Sequence, residues 1–333
     1  MYPLWLSAIY YGFSLGLSLN KSPIELNYFS TQKYLNLDAQ KSIILLLFSQ
    51  TIFSQLKNWY SIFKMDVNNT DFTQNLIVKR FEHGNATDRE ESVVAERSLT
   101  LFVNGNETVR LMALPNQVEE LIAGFLFSEC VISSREDVLE ILFNPTSMSV
   151  EVKLANQKQP VLSDKVRSIT TGCGRGLTFI SALNSRYFRP VPAKTTLSSQ
   201  TIIDLMRKLQ RNSALFHDTG GVHSAAVACA NGIQFCADDI GRHNAVDKVL
   251  GWLLLSGRLS ENTSEKYEML LTTGRLSSEI VTKAARGRFE FLISPSAPTS
   301  GAFQLATDLG ITLIGFARGE RFNVYTHAER ITI

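Results

Sequence analysis

One cysteine of this chain stands apart from the other three. Cys173 lies in Thr170-Thr171-Gly172-Cys173-Gly174-Arg175-Gly176, between glycines and two residues before an arginine. A sterically open loop of this kind exposes a sulfur, and a guanidinium nearby favours thiolate over thiol. A free cysteine titrates near about 8.5 and is about a few per cent thiolate at neutral pH. A fall of roughly one unit raises that fraction almost tenfold. The plain alternative is a Gly-rich turn whose cysteine only fills space. Cys130, at the end of an apolar helix, and Cys229 and Cys236, flanking a turn at Asn231-Gly232, read instead as buried small hydrophobes.

A second group of residues suits an anion. Four loops are rich in arginine, glycine and hydroxyl groups: Asp238-Asp239-Ile240-Gly241-Arg242-His243, Thr272-Thr273-Gly274-Arg275, residues 294–300, and Ala317-Arg318-Gly319-Glu320-Arg321. Glycine lets backbone N–H groups approach an oxyanion. Helix N-termini add partial positive charge, and arginine adds charge-assisted hydrogen bonds worth about 1.5–3 kcal/mol each. Any one of these loops also reads as an ordinary solvated connection. Neither GxGxxG nor GxxxxGK[ST] occurs, so no dinucleotide fingerprint and no P-loop supports the reading. His223, in Thr219-Gly220-Gly221-Val222-His223, is either a proton donor or acceptor or a histidine hydrogen-bonded within a tight segment.

The elements around these residues set their position. Residues 77–112 have a strand-like pattern, with Asn104-Gly105 as a hairpin turn. A helix follows with Val118, Leu121, Ile122 and Phe125 on one face, then strands at 138–143 and 147–154. A helix over 198–212, capped by Ser198 or Ser199, links two halves. Strands at 233–237, 267–271, 289–293, 311–316 and 322–326 then alternate with helices at 244–255, 278–286 and 299–309. That alternation predicts a largely parallel sheet with helices on its faces, and ligands then bind at the carboxyl ends of the strands. The four loops all belong to that edge.

Composition narrows the classes. The 333 residues are 44% hydrophobic and carry a net charge of +2, which fits a packed globular protein and argues against nucleic acid as partner. Cysteines without a framework spacing point to a reducing compartment. Residues 1–64 are unlike the rest: 1–20 carry no charged side chain, and no cleavage site follows. Three readings stand: a membrane anchor, a docked helical extension, or a wrongly extended reading frame whose true start is Met65, which is the reading favoured here. The expected parts are thus 1–64, an α+β part over 65–196 carrying the Cys173 loop, and an α/β part over 197–333.

From residue 98 to residue 326 the chain resembles the FdhD family, accessory sulfurtransferases of formate dehydrogenases. The most specific stretches are Asp239-Ile240-Gly241-Arg242-His243-Asn244-Ala245-Val246-Asp247-Lys248 and Thr273-Gly274-Arg275-Leu276-Ser277-Ser278-Glu279. Gly220-Gly221-Val222-His223 and Gly315-Phe316-Ala317-Arg318-Gly319-Glu320-Arg321 add to them. The resemblance implies a cytoplasmic homodimer with a cytidine-deaminase-like, three-layer α/β core. It implies a cysteine desulfurase as sulfur donor and a formate dehydrogenase as client. Cys173 would carry the persulfide. Phe316, Ala317, Arg318, Gly319, Glu320 and Arg321 would contact the guanine nucleotide of the molybdenum bis(molybdopterin guanine dinucleotide) cofactor, with Arg242, His243, Arg275 and His223 beside them.

The chain departs from the family pattern at Gly176, where many members carry a second cysteine, so only a single-cysteine relay is available within the loop. The deaminase-like fold raises catalytic zinc, which pairs H-x-E with P-C-x-x-C. The only H-x-E is His327-Ala328-Glu329 and no P-C-x-x-C exists, so no metal of its own is expected. A cofactor chaperone with a structural Cys173 is the rival reading. A nucleotide-hydrolysing enzyme lacks any recognisable nucleophile–base pair.

Overall fold

Tight left-handed turns organise the first part of the chain. In the computed structural model, which describes residues 72–155, 167–169, 190–192, 194–259 and 268–333, β1 (Thr73–Glu82) pairs antiparallel with β2 (Asn85–Val94). His83 and Gly84 between them both have positive φ. β3 (Arg97–Val103) and β4 (Asn106–Ala113) are joined the same way by Asn104 (φ 49°) and Gly105 (φ 79°), which confirms the expected hairpin. This two-residue turn matches the natural twist of paired strands. Helix α1 (Val118–Ser128) follows, then β5 (Val138–Asn144), β6 (Ser149–Leu154) and β7 (Arg167–Ile169). These strands form a five-stranded sheet in the order β5-β6-β3-β4-β7. Leu99, Leu101 and Val103 alternate inward along β3 and are buried, as strand periodicity requires.

The second part runs β8 (Leu197–Ser198), α2 (Ser199–Asn212), α3 (Ala214–Thr219), β9 (His223–Cys229), β10 (Gly232–Asp239) and α4 (Arg242–Leu255). It continues through β11 (Met269–Thr272), α5 (Ser278–Arg286), β12 (Phe291–Ile293) and α6 (Ser300–Leu309) to β13 (Thr312–Arg318), β14 (Arg321–Val324) and β15 (Ile331–Thr332). Ser198 caps α2 by accepting from the Thr201 N–H at 3.1 Å. The six-stranded sheet has the order β10-β9-β11-β12-β13-β14. Its four central strands, β9, β11, β12 and β13, are buried on both sides. Ala225, Val227, Leu270, Leu292 and Leu313 pack with residues of α4, α5 and α6 on one face. Ala226, Ala228, Met269, Leu271, Phe291, Ile293 and Ile314 pack with Ile202, Leu205, Met206 and Leu209 of α2 on the other. The result is a three-layer α/β/α arrangement.

The expectation of a mostly parallel sheet is corrected. Within the six-stranded sheet only β11–β12 and β12–β13 are parallel, whereas β10–β9, β9–β11 and β13–β14 are antiparallel. The reason is connection length. A turn at Ala230-Asn231 and one at Gly319-Glu320 are too short to cross over, so those neighbours must run in opposite directions. Within this sheet, parallel neighbours occur only where α5 and α6 supply a crossover.

Helices α1 and α4 join the two sheets. They meet backbone to backbone: a Cβ at Gly124 would fall 1.7 Å from the Asp247 carbonyl oxygen, and one at Gly251 would fall 1.8 Å from that of Glu120. Buried charges reinforce this seam. Lys283 Nζ lies 2.5 Å from Asp247 Oδ1 and donates to Ser128 Oγ at 2.8 Å, while Ser128 Oγ donates to Asp247 at 2.8 Å. These three groups tie α5, α4 and α1 together.

Candidate functional site

Strand directions place the four anion-suited loops on one edge of the six-stranded sheet. Asp239 at the end of β10 stands opposite His223 at the start of β9. Thr272, at the end of β11, pairs with Ala225. The carboxyl ends of β12 and β13 point the same way as that of β11 because all three are parallel.

Hydrogen bonds stitch the loops together. Ser294 Oγ donates to the Gly274 carbonyl at 2.7 Å, and Ser296 Oγ donates to that of Thr273 at 3.0 Å. The Leu276 N–H reaches the Ala297 carbonyl, the Phe316 N–H reaches Ser296, and the Ala317 N–H reaches Ser294. Residues 294–299 therefore bridge the β11 loop to the β13 end. Ser294 is fully buried, which makes each of these bonds costly to break.

At one end of the edge lie His223, Arg242 and His243. His223 Nδ1 is 3.3 Å from Thr273 Oγ1. Burial, helped by the charges of Arg242 and His243, pushes the His223 imidazole below its ordinary value, against the pull of Asp239. Arg242 packs over Gly274: a Cβ there would fall 2.7 Å from Arg242 Cδ. His243 Nε2 is 2.9 Å from Glu279 Oε2, without hydrogen-bond alignment. Arg275 is exposed.

At the other end, β13 bulges. Phe316 is forced to φ 54°, a left-handed conformation unusual for an aromatic residue, and the register shifts between Gly315 and Arg318. Ala317 turns inward and is buried, while Arg318, Gly319, Glu320 and Arg321 are exposed at the β13–β14 turn. The Arg318 guanidinium sits 5.8 Å from the Phe316 ring centroid, and Glu320 pairs with Arg207 of α2 at 2.6 Å. A recess of about 130 Å³ lies between this turn and Met206, Arg207 and Gln210 of α2.

Sequence reasoning missed what anchors the edge from below. Asp239 and Lys248 are fully buried and 2.7 Å apart. Lys248 Nζ also donates to the Asp238 carbonyl (2.8 Å) and to Asn116 Oδ1 (2.6 Å). Asp239 accepts from the N–H groups of Leu114 and Gly241 and from Asn244 Nδ2, at 2.9–3.1 Å. Asn244 Nδ2 also reaches the Met112 carbonyl. This network pins the end of β4 to the β10–α4 loop. Its signal in the sequence was an Asp-Lys pair at 247 and 248 inside an otherwise apolar helix.

The Cys173 loop lies outside the described residues, as does the extension 1–64. The other cysteines are half-buried free thiols, less buried than expected. Burial pushes the thiols of Cys130 and Cys236 up, which makes them poor nucleophiles. Among the described residues no group of three or more His, Cys, Asp or Glu is placed to hold a metal ion, and no helix is long and apolar enough to cross a membrane.

With this geometry in place, comparison with known proteins is decisive. The FdhD/NarQ family model matches residues 94–332, which takes in both large sheets and the whole edge. The chain belongs to the FdhD/NarQ family. Its relatives include the sulfur carrier protein FdhD of Bacillus licheniformis, 38% identical over 253 residues, covering 76% of this chain and 94% of the relative. That of Bacillus subtilis is 38% identical over 255 residues, covering 76% and 95%. A crystal structure assigned as a formate dehydrogenase accessory protein from Desulfotalea psychrophila superposes with a TM-score of 0.64 at 31% identity, covering 78% of this chain and all of that one. Within the FdhD/NarQ frame, the decapeptide from Asp239 to Lys248 divides in two. Arg242 and His243 face the edge, and Asp239, Asn244, Asp247 and Lys248 build the interior.

Proposed function

We propose that this protein is a sulfur carrier for formate dehydrogenase. It takes sulfur from a cysteine desulfurase as a persulfide on Cys173 and hands it to the molybdenum centre of the bis(molybdopterin guanine dinucleotide) cofactor. The observation that carries the reading is the relatedness to sulfur carrier proteins FdhD across three-quarters of the chain. The gathered edge supports it chemically, because the acceptor is a large anion. Arg318, Arg321 and the recess beside Ala317 suit a nucleotide arm, and the Phe316 ring under Arg318 suits a planar base.

The first sulfur step is an exchange at one S–S bond and the second a two-electron cleavage of one. The Cys173 thiolate attacks the outer sulfur of the donor persulfide, and the donor cysteine leaves as thiolate. In the second step the new bond breaks and Cys173 leaves as thiolate. A reduced metal centre supplies the two electrons that turn the transferred sulfur into a soft sulfido ligand. A single cysteine suffices, so Gly176 in place of a second one is no obstacle.

The same reading makes the protein a cytoplasmic homodimer and equates the three-layer part with a cytidine-deaminase-like core. Its support there is the family resemblance. The test is the full chain with Cys173→Ala, incubated with a desulfurase and cysteine. Expected are loss of the added sulfur mass, loss of formate dehydrogenase activation and retained cofactor binding. Activation undiminished by the substitution would leave only a cofactor chaperone.

A further inference from the structure

A hairpin of two strands is marginal on its own in water and needs a third strand or a packed face. Over most of its length the β1–β2 hairpin has neither. Among the described residues its strands pair only with each other. Its root is held, because the end of β2 is half-buried and Val94 packs against Gly221. Elsewhere in β1 only Thr73 and Val78 are even partly buried. Ile77 stands 74% exposed and Phe81 76%, and Leu76 is exposed beside them. Leu76-Ile77-Val78 thus sets three apolar residues in the middle of a strand with an open outer side.

The turn at His83-Gly84 decides which backbone groups are free. Residues flanking a two-residue turn exchange hydrogen bonds, and the exchange recurs at every second pair. Even-numbered residues of β1 therefore bond to β2, while Asn75, Ile77, Lys79 and Phe81 turn their N–H and C=O groups outward. Such an edge is a template for another strand. Charge distinguishes the hairpin's two edges. The basic residues of β1 lean across to β2: Lys79 Nζ lies 3.1 Å from Asp88, and Arg80 pairs with Glu91. The middle of β2 reads Asp88-Arg89-Glu90-Glu91. Two copies meeting there about a twofold axis would set the axial residue against its own charge, which is destabilising.

We propose that the outer edge of β1 joins the same edge of a second copy of this chain, with Ile77 on the twofold axis and one sheet, β2-β1-β1-β2, running through both copies. In this register Leu76 faces Val78, Lys79 faces Asn75, Arg80 faces Gln74 and Phe81 faces Thr73, so no like charges stand opposite each other. A shift of the axis to Leu76 or Val78 would instead set Ile77 against Asn75 or Lys79. The contact rests on the homodimer reading above and gives it an interface; it draws nothing from the sulfur chemistry.

The test is the mass of the full chain in sedimentation velocity over a range of concentrations. The parent sediments as a dimer. Ile77→Lys puts two lysines on the axis and forfeits the burial of two isoleucines, which weakens the dimer about a hundredfold. Its circular dichroism stays that of the parent, because Ile77 is exposed within one copy. Asn75→Pro removes an outward N–H that the hairpin itself does not use and also yields monomer. Glu90→Lys, on the other edge, leaves the dimer intact. Ile77→Cys gives a disulfide-linked dimer on mild oxidation that neither the parent nor Glu90→Cys gives. A parent that sediments as monomer overturns the contact, and protection of the Ile77 amide from hydrogen exchange in that monomer assigns the edge to another segment of the chain. A dimer unmoved by Ile77→Lys and Asn75→Pro overturns the contact and leaves the homodimer reading standing. Persulfide formation on Cys173, read by mass, is independent of both results.

Discussion

Lys248 provides the sharpest test of how the edge is held. It is fully buried with four oxygen neighbours: Asp239 Oδ2, Asn116 Oδ1 and the carbonyls of Asp238 and Leu114. Burial pushes its ammonium below the ordinary value, against the upward pull of Asp239. In Lys248→Met the side chain keeps its length and loses its charge. Asp239 then remains as a buried carboxylate with three uncharged donors. Removing one partner of a buried pair costs about 3–5 kcal/mol. For a unit of this size that corresponds to a fall in thermal midpoint of about 6–20 °C. Urea and thermal unfolding of the full chain, followed by circular dichroism, measure it. Asp239→Asn combined with Lys248→Met removes both charges and recovers part of the loss. Complete recovery is not expected, because the Leu114 N–H loses its acceptor. A single Lys248→Met variant within about 1 kcal/mol of the parent would refute the claim that this pair clamps β4 to the β10–α4 loop.

Two further outcomes follow from the same geometry. Gly251→Ala places a Cβ 1.8 Å from the Glu120 carbonyl oxygen; the helices must part, and a loss of about 3 kcal/mol or more is expected in urea unfolding. His223 gives the stability a pH dependence. Its folded pKa is depressed below the ordinary 6.5, chiefly by burial. As pH falls below that ordinary value, the unfolded chain takes up a proton that the native imidazole resists, so stability declines. His223→Gln should flatten that decline between pH 7.5 and 5.5 in unfolding curves, and an unchanged slope would assign the decline to other groups.

Local patterns were legible wherever one turn or one helix face decided the outcome. Asn104-Gly105 forms the expected hairpin because both residues tolerate positive φ. α5 occupies 278–286 as its periodicity requires, and Ser198 caps α2. What the sequence concealed was strand direction. Alternating strands and helices suggest parallel pairing, yet β9–β10 and β13–β14 are hairpins in the midst of that alternation. The turn at Asn231-Gly232 was visible, but its consequence for the sheet was not. The strand expected at 311–316 extends to Arg318 because the bulge at Phe316 lets pairing resume beyond it. That conformation depends on residues 294–296, which accept from the N–H groups of Phe316 and Ala317, and no local pattern shows it.

The site shows a related division between legible and hidden. Arginines in loops announce themselves, because charge outside an apolar run demands a reason. Charge inside a helix is harder to read. In α4, Val246, Val249, Leu250 and Leu253 already account for an inward face, so Asp247 and Lys248 pass for its solvent side. In fact α4 has no solvent side over most of its length: α1 covers one flank, α5 another and the sheet a third, and residues from Ala245 to Gly251 are all buried. Each charge must then find an opposite charge in the interior. Lys248 finds Asp239, and Asp247 finds Lys283. Because Asp239 stands just before α4, whose first residues are Arg242 and His243, the pair that solves the burial problem also fixes the start of α4.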